Sequence, residues 1–246
     1  MKKLFILLIF VTAMVYALIG KSAPAYNADE TFPMVIVFNM SEENKSIMIG
    51  DSDGEIFSTP RMNALETTIL TPLDATGTFS LYEWDEDLSD WTVMYRAFTE
   101  EEYEVTLKQG KVLGLIILPD NYVEDYELSY DYTGYGKIMF ANLSSQSLAF
   151  LEVSKEFGSR KTVWLDGLSY YNLSSFADAP SDTYALFWQT YEQSSTGEYF
   201  FNMAENGEPA LSEVTWGKWY VMMIYDKDDG TVAEMLEITP DQSLFK

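Results

Sequence analysis

Three short phrases of this 246-residue chain are written twice, in the same order. Val37-Phe38-Asn39-Met40-Ser41 returns as Phe140-Ala141-Asn142-Leu143-Ser144, and Thr78-Phe79-Ser80-Leu81-Tyr82 returns as Thr183-Tyr184-Ala185-Leu186-Phe187. Val105-Thr106-Leu107-Lys108-Gln109-Gly110-Lys111, running into Val112 to Leu118, returns as Val214-Thr215-Trp216-Gly217-Lys218, running into Trp219 to Tyr225. A repeat of about a hundred residues is the length of one compact core and far exceeds a solenoid unit. The register drifts by only a few residues, as small loop insertions between fixed elements would produce. Such a chain should fold as two related domains arising by internal duplication.

The element type follows from spacing. Met34 to Phe38, Ile47 to Ile49, Thr78 to Trp84, Trp91 to Ala97 and Val112 to Leu118 are short runs rich in β-branched and aromatic residues. Lys137 to Ala141, Leu148 to Val153, Thr162 to Leu165, Tyr184 to Trp188, Tyr199 to Met203 and Trp219 to Tyr225 continue the pattern. Turn chemistry separates them, as in Asp51-Ser52-Asp53-Gly54, Gln109-Gly110 and Pro119-Asp120-Asn121. Only Ser169 to Phe176 offers a short helical alternative. Regular strands with frequent turns predict an all-β protein of two tandem antiparallel β-sandwich, Ig-like domains. The expected boundaries are 31–121 for the first domain, 122–136 for a linker and 137–246 for the second. The tyrosines of the linker could instead form a last strand of the first domain.

Lys2 and Lys3 precede the apolar stretch Leu4 to Ile19, and Ala23-Pro24-Ala25 supplies small residues at its end. Residues 1–25 therefore read as a cleaved signal peptide, too short to span a bilayer that needs about twenty residues. The mature chain is expected to be periplasmic, or secreted where the host lacks an outer membrane, with no stable membrane insertion. Cleavage removes Lys2, Lys3 and Lys21 and no acid, taking the net charge from −24 to −27. Such an envelope repels nucleic acid and anionic polymers, whose binding depends on Lys and Arg displacing counterions.

The chain has neither Cys nor His. Apolar cores rather than disulfides must hold it together, and the 47% of apolar residues is material enough for two cores. The same absences remove Ser-His-Asp and Cys-His nucleophilic sites and the usual zinc ligands. No catalytic residue, cofactor site or metal site is assigned. Asp226-Lys227-Asp228-Asp229-Gly230 with Glu237 looks like a calcium loop, but its Gly is fifth where an EF-hand needs it sixth. A hairpin turn is the better reading, as it is for Asp51 to Gly54. The acidic clusters Asp85-Glu86-Asp87, Glu100-Glu101-Glu102 and Glu124-Asp125 could in principle supply a hydrolase pair, though a solvated face explains them. Asn39, Asn44, Asn142 and Asn172 open Asn-x-Ser sequons and read as turns after strands. Of Trp84, Trp91, Trp164, Trp188, Trp216 and Trp219, Trp91 beside the acidic loop Asp85 to Asp90 is the candidate for an exposed contact surface.

The strand Ile138-Met139-Phe140-Ala141 ending in Asn142-Leu143-Ser144, with Val105-Thr106-Leu107 entering Gly110 and Val112, resembles the AlgF family. Those proteins are exported accessory factors of alginate O-acetylation, similar in size, with a leader and two small β-domains. The resemblance implies a non-enzymatic periplasmic adaptor in O-acetylation of an exopolysaccharide, acting on protein partners of an acetylation complex. The acidic charge departs from a direct hold on polyanionic alginate. An exported carbohydrate-binding module is the alternative, and a carboxylate-based glycoside hydrolase comes third.

Overall fold

Met34-Val35-Ile36-Val37-Phe38 contains no polar residue to turn toward water, so a strand made from it must be covered on both faces. The computed structural model describes residues 32–51, 53–96, 101–119, 122–130, 135–154, 162–191, 210–227 and 230–240. The expected leader and the expected strand Tyr199 to Met203 lie outside the described residues. The described chain is all-β and forms four sheets.

The first unit comprises β1 (Met34–Asn39), β2 (Ile47–Asp51), β3 (Gly54–Ser58), β4 (Thr71–Pro72), β5 (Gly77–Asp85), β6 (Asp90–Val93), β7 (Glu104–Leu107), β8 (Lys111–Ile117) and β9 (Val123–Ser129). The second comprises β10 (Gly136–Asn142), β11 (Leu148–Ser154), β12 (Thr162–Leu165), β13 (Asn172–Leu173), β14 (Ala177–Ala179), β15 (Asp182–Thr190), β16 (Ala210–Val214), β17 (Trp219–Lys227) and β18 (Gly230–Glu237). In the first unit β4-β1-β8-β9 faces β3-β2-β5-β6, with β7 also on β5. In the second, β13-β10-β17-β18, with β14 also on β10, faces β12-β11-β15-β16. The two halves thus repeat one strand order.

The sheets are not purely antiparallel as expected: β1 runs parallel to β8, and β10 parallel to β17. Parallel neighbours need a long crossover, and here it is the whole facing sheet. The segment 122–136, expected as linker, contains β9, which pairs with β8 from Lys111↔Ser129 to Ile117↔Val123. Of the two readings of its tyrosines, the last strand is the one observed. Ser169 to Phe176 holds the two-residue strand β13 and no helix, with Tyr171 at a left-handed φ of 45°. The third repeated phrase is equivalent at its turn, where Gly110 and Gly217 have φ of 72° and 69°. Before that turn it slips by two residues, because Leu107 pairs with Gly77 and Val214 with Asp182.

The described residues form three apolar cores rather than two. Along β1 and β8, Val35, Val37, Leu113, Leu115 and Ile117 point into the first unit's own core. Ile138, Phe140, Tyr220, Met222 and Ile224 do the same in the second. The alternate residues, Met34, Ile36, Phe38, Val112 and Ile116 against Met139, Ala141, Trp219, Val221 and Met223, meet in a third core between the units. This is the period-two division of a strand between its faces, giving four stacked sheets. Gly114 sits at the closest approach, where an added Cβ would run into Leu173 Cδ1 of the other unit. Tyr126 Oη donates to the Tyr171 carbonyl at 2.5 Å across the same seam, and Tyr130 and Phe176 both set their rings edge-on to Trp219.

The repeated Asn-x-Ser explains why the phrase occurs twice. Asn39 is fully buried, and its Nδ2 donates to the carbonyls of Glu43, Met62 and Asn63 at 2.9–3.2 Å. Its Oδ1 accepts from the Ser41 hydroxyl at 2.6 Å and the Ser41 N–H at 3.1 Å. Asn142 repeats each bond, to Gln146, Leu168 and Ser169 and from Ser144. The equivalence extends to the hydroxyls of Thr68 and Ser174, which accept from Val37 N and Phe140 N. It also includes Leu65 and Tyr171, both held at positive φ.

Asn39→Ala removes the bonds to three carbonyls and leaves the buried Ser41 N–H without its acceptor, and should lower the unfolding free energy in urea by about 2–4 kcal/mol. Asn39→Asp, unable to donate, should not rescue it. Gly114→Val should cost about 1–3 kcal/mol and split a single thermal transition into two as the third core opens. Burial, followed by Glu124 and Asp125, pushes the Tyr126 phenol up to about 12. Because the folded state keeps this proton longer than the unfolded state, stability is full below about pH 10 and is lost as the pH rises through about 12. Thermal denaturation across that window should show a falling melting temperature, and Tyr126→Phe should lessen the fall.

Candidate binding cleft on the first unit

The loop between β5 and β6 is fixed by its own acid: Asp85 Oδ1 accepts from the N–H groups of Asp87 and Leu88 at 2.9 and 3.0 Å. That short turn sets the register, placing Trp84 opposite Trp91 on adjacent strands. Leu81, three residues before Trp84, points the other way and is fully buried. The two indoles meet edge to face, centroids 5.5 Å apart at 76°, an arrangement the ring quadrupole favours. Trp84 is 39% exposed, and Trp91 is half-buried.

The pair forms one wall of a cleft of about 290 Å³. The segment Asn44 to Ser46 forms a second wall, where Trp84 N donates to Ser46 O at 3.1 Å. Buried Lys45 anchors this segment, its Nζ 2.9 Å from Glu83 Oε1 and 3.0 Å from Glu43 Oε2. Burial alone would lower the pKa of Lys45, but the two carboxylates outweigh it and hold the group above the usual lysine value. Arg61 and Glu86 complete the rim as an exposed ion pair at 2.7 Å. An exposed pair of this kind adds at most about 1 kcal/mol, so its donors and acceptors can be exchanged for those of a ligand at little cost. Chemically, the cleft offers aromatic surface, an amide, hydroxyls and a charge-balanced fork of donors and acceptors.

The other nominated residues are placed elsewhere. Trp188 is buried with Nε1 donating to Thr231 Oγ1 at 3.1 Å, Trp219 lies in the third core, and Trp164 packs against Phe140 and Tyr184. Trp216 is 56% exposed beside Tyr135. Trp91, chosen as the tryptophan most open to solvent, is therefore less open than Trp84 or Trp216, because the Trp84 ring covers part of it. Trp84 was legible only jointly with Trp91, through the length of the turn. Asn44 and Arg61 carried no sequence signal, since separate loops deliver them.

Asp226 and Glu237 sit at opposite ends of the β17–β18 hairpin, where Asp226 pairs with Thr231 and Glu237 with Tyr220. Six residues of strand, about 20 Å, separate their levels. Asp226 Oδ2 instead accepts from the Ser145 N–H and hydroxyl, and Glu237 from Lys218 and Thr239. Asp51 Oδ1 accepts from the N–H groups of Asp53 and Gly54 in a tight turn. Asp125 accepts from Tyr103 Oη at 2.8 Å, and burial followed by Asp125 raises that phenol's pKa. Glu100 lies outside the described residues. Asn39 and Asn142 use their amides internally and present no nitrogen to a glycan.

No family model matches the chain, and no curated protein matches it. Among solved structures it is similar to the tip fimbrial protein Mfa3 of Porphyromonas gingivalis, with TM-score 0.25 and 9% identity over 84% of this chain and 98% of that one. A candidate cell adhesion protein of Bacteroides fragilis aligns with TM-score 0.25 and 8% identity over 80% and 84% of the two chains. One of Bacteroides uniformis aligns with TM-score 0.23 and 13% identity over 84% and 97%. These are loose likenesses.

The indole pair should give an exciton couplet in far-ultraviolet circular dichroism. Trp84→Phe or Trp91→Phe should each abolish the couplet while leaving the melting temperature within a few degrees; a couplet that survives both would refute the pairing.

Proposed function

We propose that this chain is an exported, non-enzymatic binding protein of two Ig-like β-sandwich modules descended from one by duplication, and that it binds carbohydrate through the Trp84–Trp91 cleft. The observation that carries this reading is the aromatic pair left open beside Asn44, Arg61 and Glu86. The weakly positive C–H groups of a pyranose suit the negative face of an indole, and its hydroxyls suit an amide and a charge-balanced fork. The net charge of −24 for the whole chain favours a neutral or amino-bearing glycan over an acidic one. The lysine-led leader supports export, with a periplasmic or secreted location.

A second reading is the adaptor in exopolysaccharide O-acetylation, working through protein partners. The acidic surface supports it, since such a surface complements a cationic patch on another protein. The residues that carry the family resemblance are the Asn142–Ser144 network and the strand and turn from Val105 to Val112. They bear directly on architecture and only through it on a pathway. The carboxylate hydrolase stays third, because Asp85 and Asp125 are occupied by turn and phenol hydrogen bonds.

On an array of neutral and aminated glycans the protein should bind a small set, and Trp91→Ala should weaken that binding at least tenfold. Failure to bind any glycan would remove this reading. Recovery of a membrane-bound O-acyltransferase in a pull-down from envelope extract, with a gene for one next door, would then favour the adaptor.

A further inference from the structure

In the first unit the cleft wall is a bridge in which Lys45 N donates to Met62 O and Met62 N to Lys45 O, at 2.9 and 2.8 Å. In the second unit Leu148 and Leu168 make the same bridge at 2.8 and 3.1 Å. Asn39 pins the Met62 and Asn63 carbonyls from behind, and Asn142 pins those of Leu168 and Ser169. The central strand of each outer sheet closes the opposite side, through Trp84 N on Ser46 O and Tyr191 N on Ser147 O. Corresponding elements therefore bound a recess in both units, and the second is the larger at about 550 Å³.

The lining of that second recess is not dictated by the fold, since Ser147, Gly167 and Tyr191 stand where the first has Asn44, Arg61 and Glu86. Tyr191, 55% exposed, supplies an aromatic ring, and Ser147, Ser169 and Asn172 supply hydroxyls and an amide. Gly167, at a φ of 95°, leaves a bare stretch of backbone at the wall. Among the described residues no charged side chain lines it. Each unit has thus arrived at a ring beside uncharged or charge-balanced hydrogen-bonding groups, the composition typical of a cleft that orients a polar ligand.

We infer that the Tyr191 cleft of the second unit is a second carbohydrate site, for neutral sugars, so that one chain carries two sites related by its internal repeat. This rests on the carbohydrate reading of the Trp84–Trp91 cleft. Its described lining of hydroxyls, an amide and a phenol ring suits neutral sugars.

The test is calorimetric titration of the full mature chain with cellohexaose, xylohexaose and maltohexaose, alongside backbone amide spectra. The expected result is two sites per chain for at least one of these probes. Trp91→Ala and Tyr191→Ala should each leave one site, and in Trp91→Ala the amides of Gly167 and Ser169 should still shift on titration. Asn172→Ala, at a half-buried position, serves as a second variant and should weaken the remaining site several-fold. One site that Trp91→Ala abolishes and Tyr191→Ala spares would overturn the inference while leaving the first cleft intact. No heat and no amide shift with any probe would overturn it, and the reading on which it rests falls with it only if the array of neutral and aminated glycans is also blank.

Discussion

The parallel pairing of β1 with β8, and of β10 with β17, puts the most apolar strands of each unit side by side with both faces needing cover. One face is covered by the unit's own outer sheet. The other can be covered only by its sibling, and the alternation of Met34, Ile36 and Phe38 with Val35 and Val37 assigns each residue to one side. Everything else is arranged around this constraint. The outer sheets are free to differ, the seam must be tight enough to require Gly114, and the two units form one body rather than two beads.

The Asn-x-Ser networks belong to the same logic at a smaller scale. Where β1 and β10 end, the chain turns away from the sheet beside the carbonyls of its own turn and of a distant segment. A single buried amide gathers three of them, and a hydroxyl two residues on satisfies its oxygen. The device is local in sequence on one side, at Ser41 and Ser144, and distant on the other, at Met62 and Leu168. It fastens the wall of a recess to the end of the stiffest strand in each unit, so the recess inherits that strand's rigidity.

The repeat and most strands were legible because both are local: a phrase recurs, and a β-branched run alternates. The strand direction was not, since Val37 and Leu115 pair across the whole unit and no nearby residue records the choice. The third core could have been inferred from the unbroken apolar runs of Met34 to Phe38 and Val112 to Leu118, which leave no face for water. β9 stayed open between linker and last strand because Glu124, Asp125 and Glu127 resemble a solvated linker, whereas acids on an edge strand guard it against pairing with another chain. The clefts drew least from sequence: Trp91 alone was nominated, and its neighbours Asn44 and Arg61 come from loops whose meeting is a tertiary event.

Because Met34 lies against Val112, the strand nearest the start of each unit has no neighbour on that side until some seventy-eight residues later have been made. An N-terminal fragment ending before Lys111 would have nowhere to lay its greasiest segment. The same wait recurs between β10 and β17. Closure in each unit is therefore a late, all-or-nothing event of high contact order, and slow folding follows from it. The nascent polypeptide must stay open for longer than a chain of simple hairpins of equal length.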